Sequence, residues 1–162
     1  MESVLWDAES QNLSGTAWFG FFVGEVRNPN IAQGDRMTKA ESFDEAWRLA
    51  SRGDFSLVDK VYHPDYRAFD AYAEVEVNLE AEKAAVETFS EILTATNSKV
   101  LSESNDFLRI HRYNRHRDVE IFASVTTSIT YKDVLIITQQ SEVEELDYDP
   151  SEGQDWIWED YE

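Results

Sequence analysis

The chain has 162 residues and a mass of 18.7 kDa, which fits one domain because chains of this size bury about 69% of their extended surface on folding. Its 42% of apolar residues, 13% of aromatic residues, 6 glycines and 3 prolines exclude disordered, collagen-like and low-complexity classes. The 33 acidic residues against 14 basic ones give a net charge of −19, which repels phosphate backbones and anionic lipid headgroups. We therefore expect neither nucleic acid nor a membrane as a partner.

Residues 1–40 are predicted to form an N-terminal extension. The aromatic run 17–23 is followed by loop-like residues, so one strand is expected here, lying against the main body or a partner subunit. That run is too short to span a bilayer, which needs about 20 residues. Glu2 and Asp7 stand where a signal peptide needs basic residues, so we expect an unexported, cytoplasmic protein. The lack of cysteine removes disulfides, thiol nucleophiles and thiolate metal sites.

Two short helices are predicted after the extension. Ser42 and Glu45 fit a capping box, so the first helix is expected to begin at Phe43. Asp54 is expected to cap the second helix, which would end at residues 63–64 because proline disfavours helix in the residue before it. Together the pair predicts a compact helical corner.

A strand and a longer helix follow. Residues 66–72 are rich in aromatics and predict a strand. Its alternate residues Tyr66, Ala68, Asp70 and Tyr72 would point to one side. From Asn78 onward, side chains recur at intervals of three and four residues and predict a third helix, with residues 94–98 as its exit. The stripe of this helix consists of Leu79, Glu82, Val86, Phe89 and Leu93.

Beyond Lys99 the period changes from 3.6 to 2, and four turn candidates divide the rest into an antiparallel meander. Residues 119–131 alternate between apolar and polar side chains, which predicts one core face and one polar face. Residues 134–137 are expected in a central strand, and residues 156–161 in a final strand. The meander is also expected to offer a second face with apolar side chains, which favours association with another copy.

The order of these elements, and above all residues 52–66 (RGDFSLVDKVYHPDY), resembles the nuclear transport factor 2-like superfamily, which includes SnoaL-like polyketide cyclases and ketosteroid isomerases. The resemblance implies an α+β, cystatin-like fold in which a cone-like, curved antiparallel sheet wraps around the N-terminal helices. It covers about residues 42–162, and the domain is taken as residues 41–162. It also implies a homodimer formed through the outer face of the sheet.

Laid without gaps on the ketosteroid isomerase pattern, the resemblance places Asp70 where that family carries its catalytic aspartate base. A carboxylate among tyrosines loses solvation, which raises its pKa and suits base catalysis near neutral pH. The family's oxyanion-hole tyrosine would fall at Ala46, and residues 138–141 offer no counterpart of its late-strand acid. Glu142 is the one acid near the corresponding position in SnoaL-like cyclases. These departures argue against steroid isomerisation itself, and a structural Asp70 that accepts hydrogen bonds from turn amides is the alternative.

A candidate ligand site combines aromatic side chains with a basic strand. Strand alternation places Arg109 and His111 on one face of the basic run 109–117, where they could hold an anionic ligand. The alternative is that this strand pairs with the acids of the sheet or lines a dimer contact. The aromatic residues expected at the ligand are Trp47, Tyr62, Tyr66 and Tyr72.

The spacing of the three histidines fits no metal site, so neither a metal nor a cofactor is predicted. The sequence thus predicts a small-molecule pocket protein, with Asp70 as the base of a cofactor-free isomerase or cyclase of SnoaL-like type acting on an apolar carbon acid. The alternative is a non-catalytic ligand-binding or dimeric interaction module whose cone is filled by side chains such as Trp47, Tyr62 or Phe89. The state of the cone interior discriminates between the two.

Overall fold

The structure is a computed structural model that describes residues 37–70 and 74–162. The strand expected at residues 17–23 and the site candidate Tyr72 lie outside these ranges. The described elements are the helices α1 (Lys39–Ala50), α2 (Val58–Val61) and α3 (Leu79–Phe89), the strands β1 (Tyr62–Asp70), β2 (Val75–Val77), β3 (Leu93–Ala95), β4 (Lys99–Glu103), β5 (Phe107–His116), β6 (Ile121–Lys132) and β7 (Leu135–Leu146), and a C-terminal 3₁₀ helix, Trp158–Tyr161. Within the described ranges, no helix combines the length and apolar character that crossing a membrane requires.

The strands form one curved, unclosed sheet in the order β2-β1-β7-β6-β5-β3, and β4 pairs with β5 beside β3. This confirms the predicted α+β architecture with a long meander. One pairing differs from the expected antiparallel sheet, because β1 runs parallel to β7. That pairing joins residues far apart in the chain. Local turn signals predict only the pairing of strands that are neighbours in sequence, so they could not indicate it.

Helix α1 begins four residues earlier than predicted. Thr38 is its N-cap, and the Thr38 hydroxyl and the Glu41 carboxylate form the capping box, so Ser42 lies within the first turns of the helix. Both Thr38–Glu41 and Ser42–Glu45 fit the motif. The earlier start adds a turn that buries Ala40 and allows Lys39 to donate to two backbone carbonyls beyond β4.

Strand β1 starts at Tyr62, whereas the second helix was expected to continue to residues 63–64. The strand therefore contains Pro64, and the register between β1 and β7 shifts between Tyr62 and Arg67. Proline lacks the N–H that a regular ladder needs. It is tolerated here because the pairing of β1 with β7 is irregular at this point.

Two further expectations for the second half of the chain were wrong. Leu93 does not extend α3 but belongs to β3, which pairs with the end of β5. Residues 156–161 form no strand, because Trp158–Tyr161 is a 3₁₀ helix. Trp156 stacks against Tyr113, with ring centroids 6.2 Å apart, and so covers part of the sheet.

The two faces of the sheet differ in character. The inner face, which carries Tyr62, Tyr66, Ile110, Thr127 and Gln139, packs against the helices. The outer face carries Arg109, His111, Ser124, Thr126 and Glu142. The alternation predicted for β6 is confirmed where the helices cover it, since Val125, Thr127 and Ile129 are all buried.

Candidate functional site

The inner face contains buried polar side chains as well as a hydrophobic core. Burial without hydrogen-bond partners is costly, so polar side chains at such depth are normally paired or serve a function. The buried polar and aromatic side chains include Trp47 on α1, Tyr62 and Tyr66 on β1, Glu82 on α3, Arg112 on β5 and Gln139 on β7.

A hydrogen-bond chain connects α1 to the sheet. The indole N–H of Trp47 donates to the Tyr62 hydroxyl at 2.8 Å, and this hydroxyl donates to Oε1 of Gln139 at 2.9 Å. Trp47, Tyr62 and Gln139 are 0%, 3% and 2% exposed. Nε2 of Gln139 has no hydrogen-bond partner among the described residues. The chain thus fixes a buried amide that still has a donor to offer.

A carboxylate lies beside this chain. Asn78 caps α3 by accepting from the backbone N–H of Ala81, and the helix then places Glu82 on its buried side with 1% exposure. The Tyr66 hydroxyl donates to Oε1 of Glu82 at 3.1 Å. The rings of Tyr62 and Tyr66 meet edge to face, with centroids 4.8 Å apart. The hydrogen-bond chain Trp47–Tyr62–Gln139 and the Glu82 carboxylate therefore belong to one cluster.

Both tyrosines of this cluster remain protonated. Burial raises the pKa of Tyr62 and of Tyr66 well above 10, and the negative charge of Glu82 raises both further. The two phenols are therefore hydrogen-bond donors at any physiological pH. In an interior of low dielectric, fixed neutral donors stabilise an anion more effectively than water does.

A buried cation lies further along β5. The Arg112 guanidinium donates to the Thr127 hydroxyl at 3.1 Å and lies over the Phe43 ring, 5.9 Å from its centroid. Burial lowers the pKa of Arg112 to about 10, and the Asp44 carboxylate opposes this change. Arg112 therefore stays charged at neutral pH and contributes a fixed positive potential to the inner face.

The structure brings together three of the predicted ligand-binding residues and separates two others. Trp47, Tyr62 and Tyr66 meet in the cluster, and their role in ligand binding stays a prediction. Arg109 and His111 lie on the outer face, where Arg109 forms an ion pair with Glu142 at 3.1 Å. They were misplaced because alternation shows which residues of a strand share a face but not which face meets the helices.

Asp70 is the last residue of β1, and its backbone pairs with that of Val75. Its side chain, like all of Tyr72, lies outside the described part of the chain. The base assigned to Asp70 by resemblance thus stays a prediction.

Sequence reasoning missed Glu82, Arg112 and Gln139 as site residues. A signal was present for Glu82, since it was the one charged position in the predicted stripe of the third helix. Arg112 gave the same signal, because it is the charged position on the strand face that carries the apolar Leu108 and Ile110. Gln139 gave no signal, because an amide in a polar strand segment is ordinary.

Two other features do not contribute to this cluster. Among residues 37–70 and 74–162, no three histidine, aspartate or glutamate side chains are grouped as metal ligands would be. A surface cavity of about 470 Å³ lies at the far end of β6 and β7, and its lining includes Phe122, Leu146, Glu120 and Glu145. None of the residues that line this cavity belongs to the buried cluster on the inner face.

Comparison with known proteins concerns the fold. The chain is similar to the solved structure of a loop-truncation variant of IdmH, with a TM-score of 0.52 and 13% identity over 65% of this chain and 91% of that one. It is also similar to TsrD from Streptomyces laurentii, with a TM-score of 0.49 and 17% identity over 67% and 92% of the two chains. A protein from Catenulispora acidiphila with a ketosteroid isomerase-like fold, solved in complex with trimethylamine, gives a TM-score of 0.46 and 13% identity over 60% and 82%.

The chain thus has the α+β, cone-like fold that the resemblance of residues 52–66 implied, and the likeness concerns the fold alone. No family's sequence profile matches the chain, and no curated protein matches it in sequence. A shared fold does not define an activity, so function has to be argued from the cluster itself.

Proposed function

We propose that the chain binds a small, mostly apolar organic molecule with a carbonyl group at the inner face, and that it moves a proton on this molecule without a cofactor, as an isomerase or cyclase does. The observation that carries the proposal is Glu82, a carboxyl group with 1% exposure that accepts a hydrogen bond from Tyr66. A carboxyl group at that depth, hydrogen-bonded to a neutral phenol, is a candidate functional group.

The chemistry follows from the donors and the carboxylates. A carboxylate removes the proton from the carbon next to the carbonyl, the C–H electron pair moves into an enolate, and the same proton returns to another carbon. Nε2 of Gln139 supplies a donor for the carbonyl oxygen, on which the enolate charge develops. Asp70, on the strand that also carries Tyr62 and Tyr66, is the base that the resemblance implies. Glu82 is the second carboxylate to be tested for that role.

The test is deuterium exchange at the acidic carbon of a panel of enolisable cyclic ketones and polyketide-like diketones, followed by NMR in D₂O. Asp70→Asn and Glu82→Gln are nearly isosteric and remove one carboxylate each. We expect exchange to fall at least about 100-fold in the variant that lacks the base. The matched controls Asp65→Asn on β1 and Glu80→Gln on α3 change exposed carboxylates of the same elements, so they are expected to retain exchange.

Thermal unfolding of each variant separates chemistry from stability. If Asp70→Asn or Glu82→Gln abolishes exchange without lowering the melting temperature, that carboxylate is the base. If the unmodified protein catalyses no exchange, or if both variants retain it, the proposal fails.

One observation favours a second candidate, a non-catalytic module with a filled cone. Trp47 and Tyr62 bond to each other inside the cone and are almost fully buried, which is the filling that this candidate requires. Trp47→Phe removes the indole donor but retains most of the volume. A filled module predicts a loss of stability and no ligand binding in either protein, whereas the proposed site predicts that the unmodified protein binds a ketone of the panel.

A further inference from the structure

Strand β4 forms an open edge of the sheet. Within the described residues it pairs only with β5, and all five of its residues are exposed. Its centre is apolar, since Val100 is 43% and Leu101 is 50% exposed. An edge with free backbone groups and exposed apolar side chains is a template for a further strand.

The chain enters the described structure at the end of this edge. Lys39, two residues after Met37, donates to the carbonyl oxygens of Ser104 and Asn105, the latter at 2.9 Å. These carbonyls directly follow β4. The last part of the N-terminal extension is therefore fixed next to the strand that lacks a second neighbour.

The extension contains a segment suited to that edge. Residues 17–23 read AWFGFFV, and aromatic residues of this kind favour strands and are costly to leave in water. The thirteen residues 24–36 can span roughly 45 Å when extended, whereas β4 is about 17 Å long. The segment can reach every position of the edge in either direction.

We propose that residues 17–23 add to the open edge of β4 in the same chain as a further strand of the sheet. The added strand covers Val100 and Leu101 and pairs the free backbone groups of β4. The register of β4 on β5 shifts between Val100 and Ser102, so the regular part of the new pairing is three to four residues long. This inference is independent of the proposed function, because it involves no residue of the buried cluster.

The test uses disulfide formation, since the chain has no cysteine of its own and any pair that is introduced is unique. Leu101→Cys is combined with Phe21→Cys or with Phe22→Cys, neighbouring positions whose side chains point to opposite faces of a strand. The matched control replaces Leu101→Cys by Val75→Cys, on the strand at the opposite edge of the sheet and also 50% exposed. Mild oxidation is followed by mass analysis of the non-reduced protein.

We expect a disulfide within single chains for at least one pair with Leu101→Cys, at least tenfold faster than for the same partner with Val75→Cys. A linked dimer would overturn the proposal in favour of strand exchange between copies. Equal rates at both edges, or no linkage at β4, would also overturn it. Hydrogen exchange gives a second readout in the cysteine-free chain, because Phe21→Pro is expected to raise exchange of the β4 amides at least tenfold, whereas Leu13→Pro leaves it unchanged.

Discussion

Asp44 ties α1 to the connection between β3 and β4. Its carboxylate accepts from the backbone N–H of Ser98 at 2.8 Å and from the Ser98 hydroxyl at 2.6 Å. Burial raises the pKa of Asp44 to about 6, although the hydrogen bonds from Ser98 and the positive charge of Arg112 act against this rise. The cost of burial outweighs the bonds, so the charged form of this residue destabilises the fold.

The pKa of Asp44 predicts a pH dependence of stability. Its folded value of about 6 exceeds the ordinary 3.8, so between pH 4 and pH 6 the folded state holds a proton that the unfolded chain has released. The free energy of unfolding therefore falls as pH rises through this window, by about 3 kcal/mol in total for this group. Asp44→Asn keeps an acceptor for Ser98 and removes the titration. We expect the stability difference, unmodified protein minus variant, to fall by that amount from pH 4 to pH 7.

Urea denaturation at four pH values measures this difference directly. Asp65→Asn is the control, because the Asp65 side chain is 82% exposed. Parallel stability curves for the unmodified protein and Asp44→Asn would contradict the expectation.

The hairpin between β6 and β7 has a strained turn. Asp133 and Val134 have φ values of 50° and 63°, which is the left-handed pair that a two-residue type I′ turn requires. Asparagine and glycine are preferred there, and a β-branched valine is strongly disfavoured. Val134 is 88% exposed and gains little from packing. We therefore expect Val134→Gly to raise the free energy of unfolding by about 1 kcal/mol, measured by chemical denaturation.

A valine in the neighbouring turn provides the comparison. Val119 is 55% exposed and does not adopt positive φ. Val119→Gly should leave stability unchanged or lower it, because glycine adds entropy to the unfolded chain without relieving strain. An equal gain from both substitutions would show that strain at Val134 is not the cause.

The sequence predicted the elements better than it predicted their contacts. The alternation in β6 and the start of α3 next to Asn78 are local features, and both are confirmed. The start of α1 was misplaced because two capping motifs overlap and packing of Ala40 decides between them. The prediction of a final strand was wrong because Trp156 and Trp158 stack on side chains of the sheet without joining it as a strand. The sequence pattern alone does not distinguish aromatic residues that pack on a sheet from aromatic residues within one of its strands.

The cluster shows the same limit at the site. Tyr62 and Tyr66 were expected near a ligand because aromatics marked the first strand, and they do lie together. Their polar partners, Gln139 and Glu82, come from other elements. Such partners follow only from the parallel pairing of β1 with β7 and the docking of α3, and no local pattern specifies these.

At the scale of the whole molecule, the excess of acid is distributed unevenly. Residues 133–162 contain no lysine or arginine, and within the described ranges the Arg109–Glu142 pair is the one ion pair that reaches them. Neighbouring carboxylates there repel one another in the compact state, and salt screens this repulsion. We expect the melting temperature to rise from low to moderate salt. A flat or falling curve in a calorimetric series would contradict this.

We propose that the protein is a homodimer through the outer face of the sheet. This face is more polar than expected, because Val125 and Ile129 point inward and Thr126 lies among Ser124, His111 and Glu142. Sedimentation at micromolar concentration should give about twice the mass of 18.7 kDa. Thr126→Arg should give monomers, and Thr88→Arg on the exposed side of α3 should not. A monomeric unmodified protein would overturn the proposal.

The position of β7 between β1 and β6 also constrains the order of folding. The β6–β7 hairpin closes over two residues, but pairing Tyr62 with Ile136 closes a loop of roughly 70 residues, at a length-dependent entropic cost of about 4 kcal/mol. Contacts across so long a loop form slowly. The meander is therefore the part of the chain that can assemble first, and its strand β7 then acts as the template on which β1 and its helices dock. Until that step, the backbone edge of β7 and the inner face of the meander stay open, and the nascent domain is most prone to aggregate.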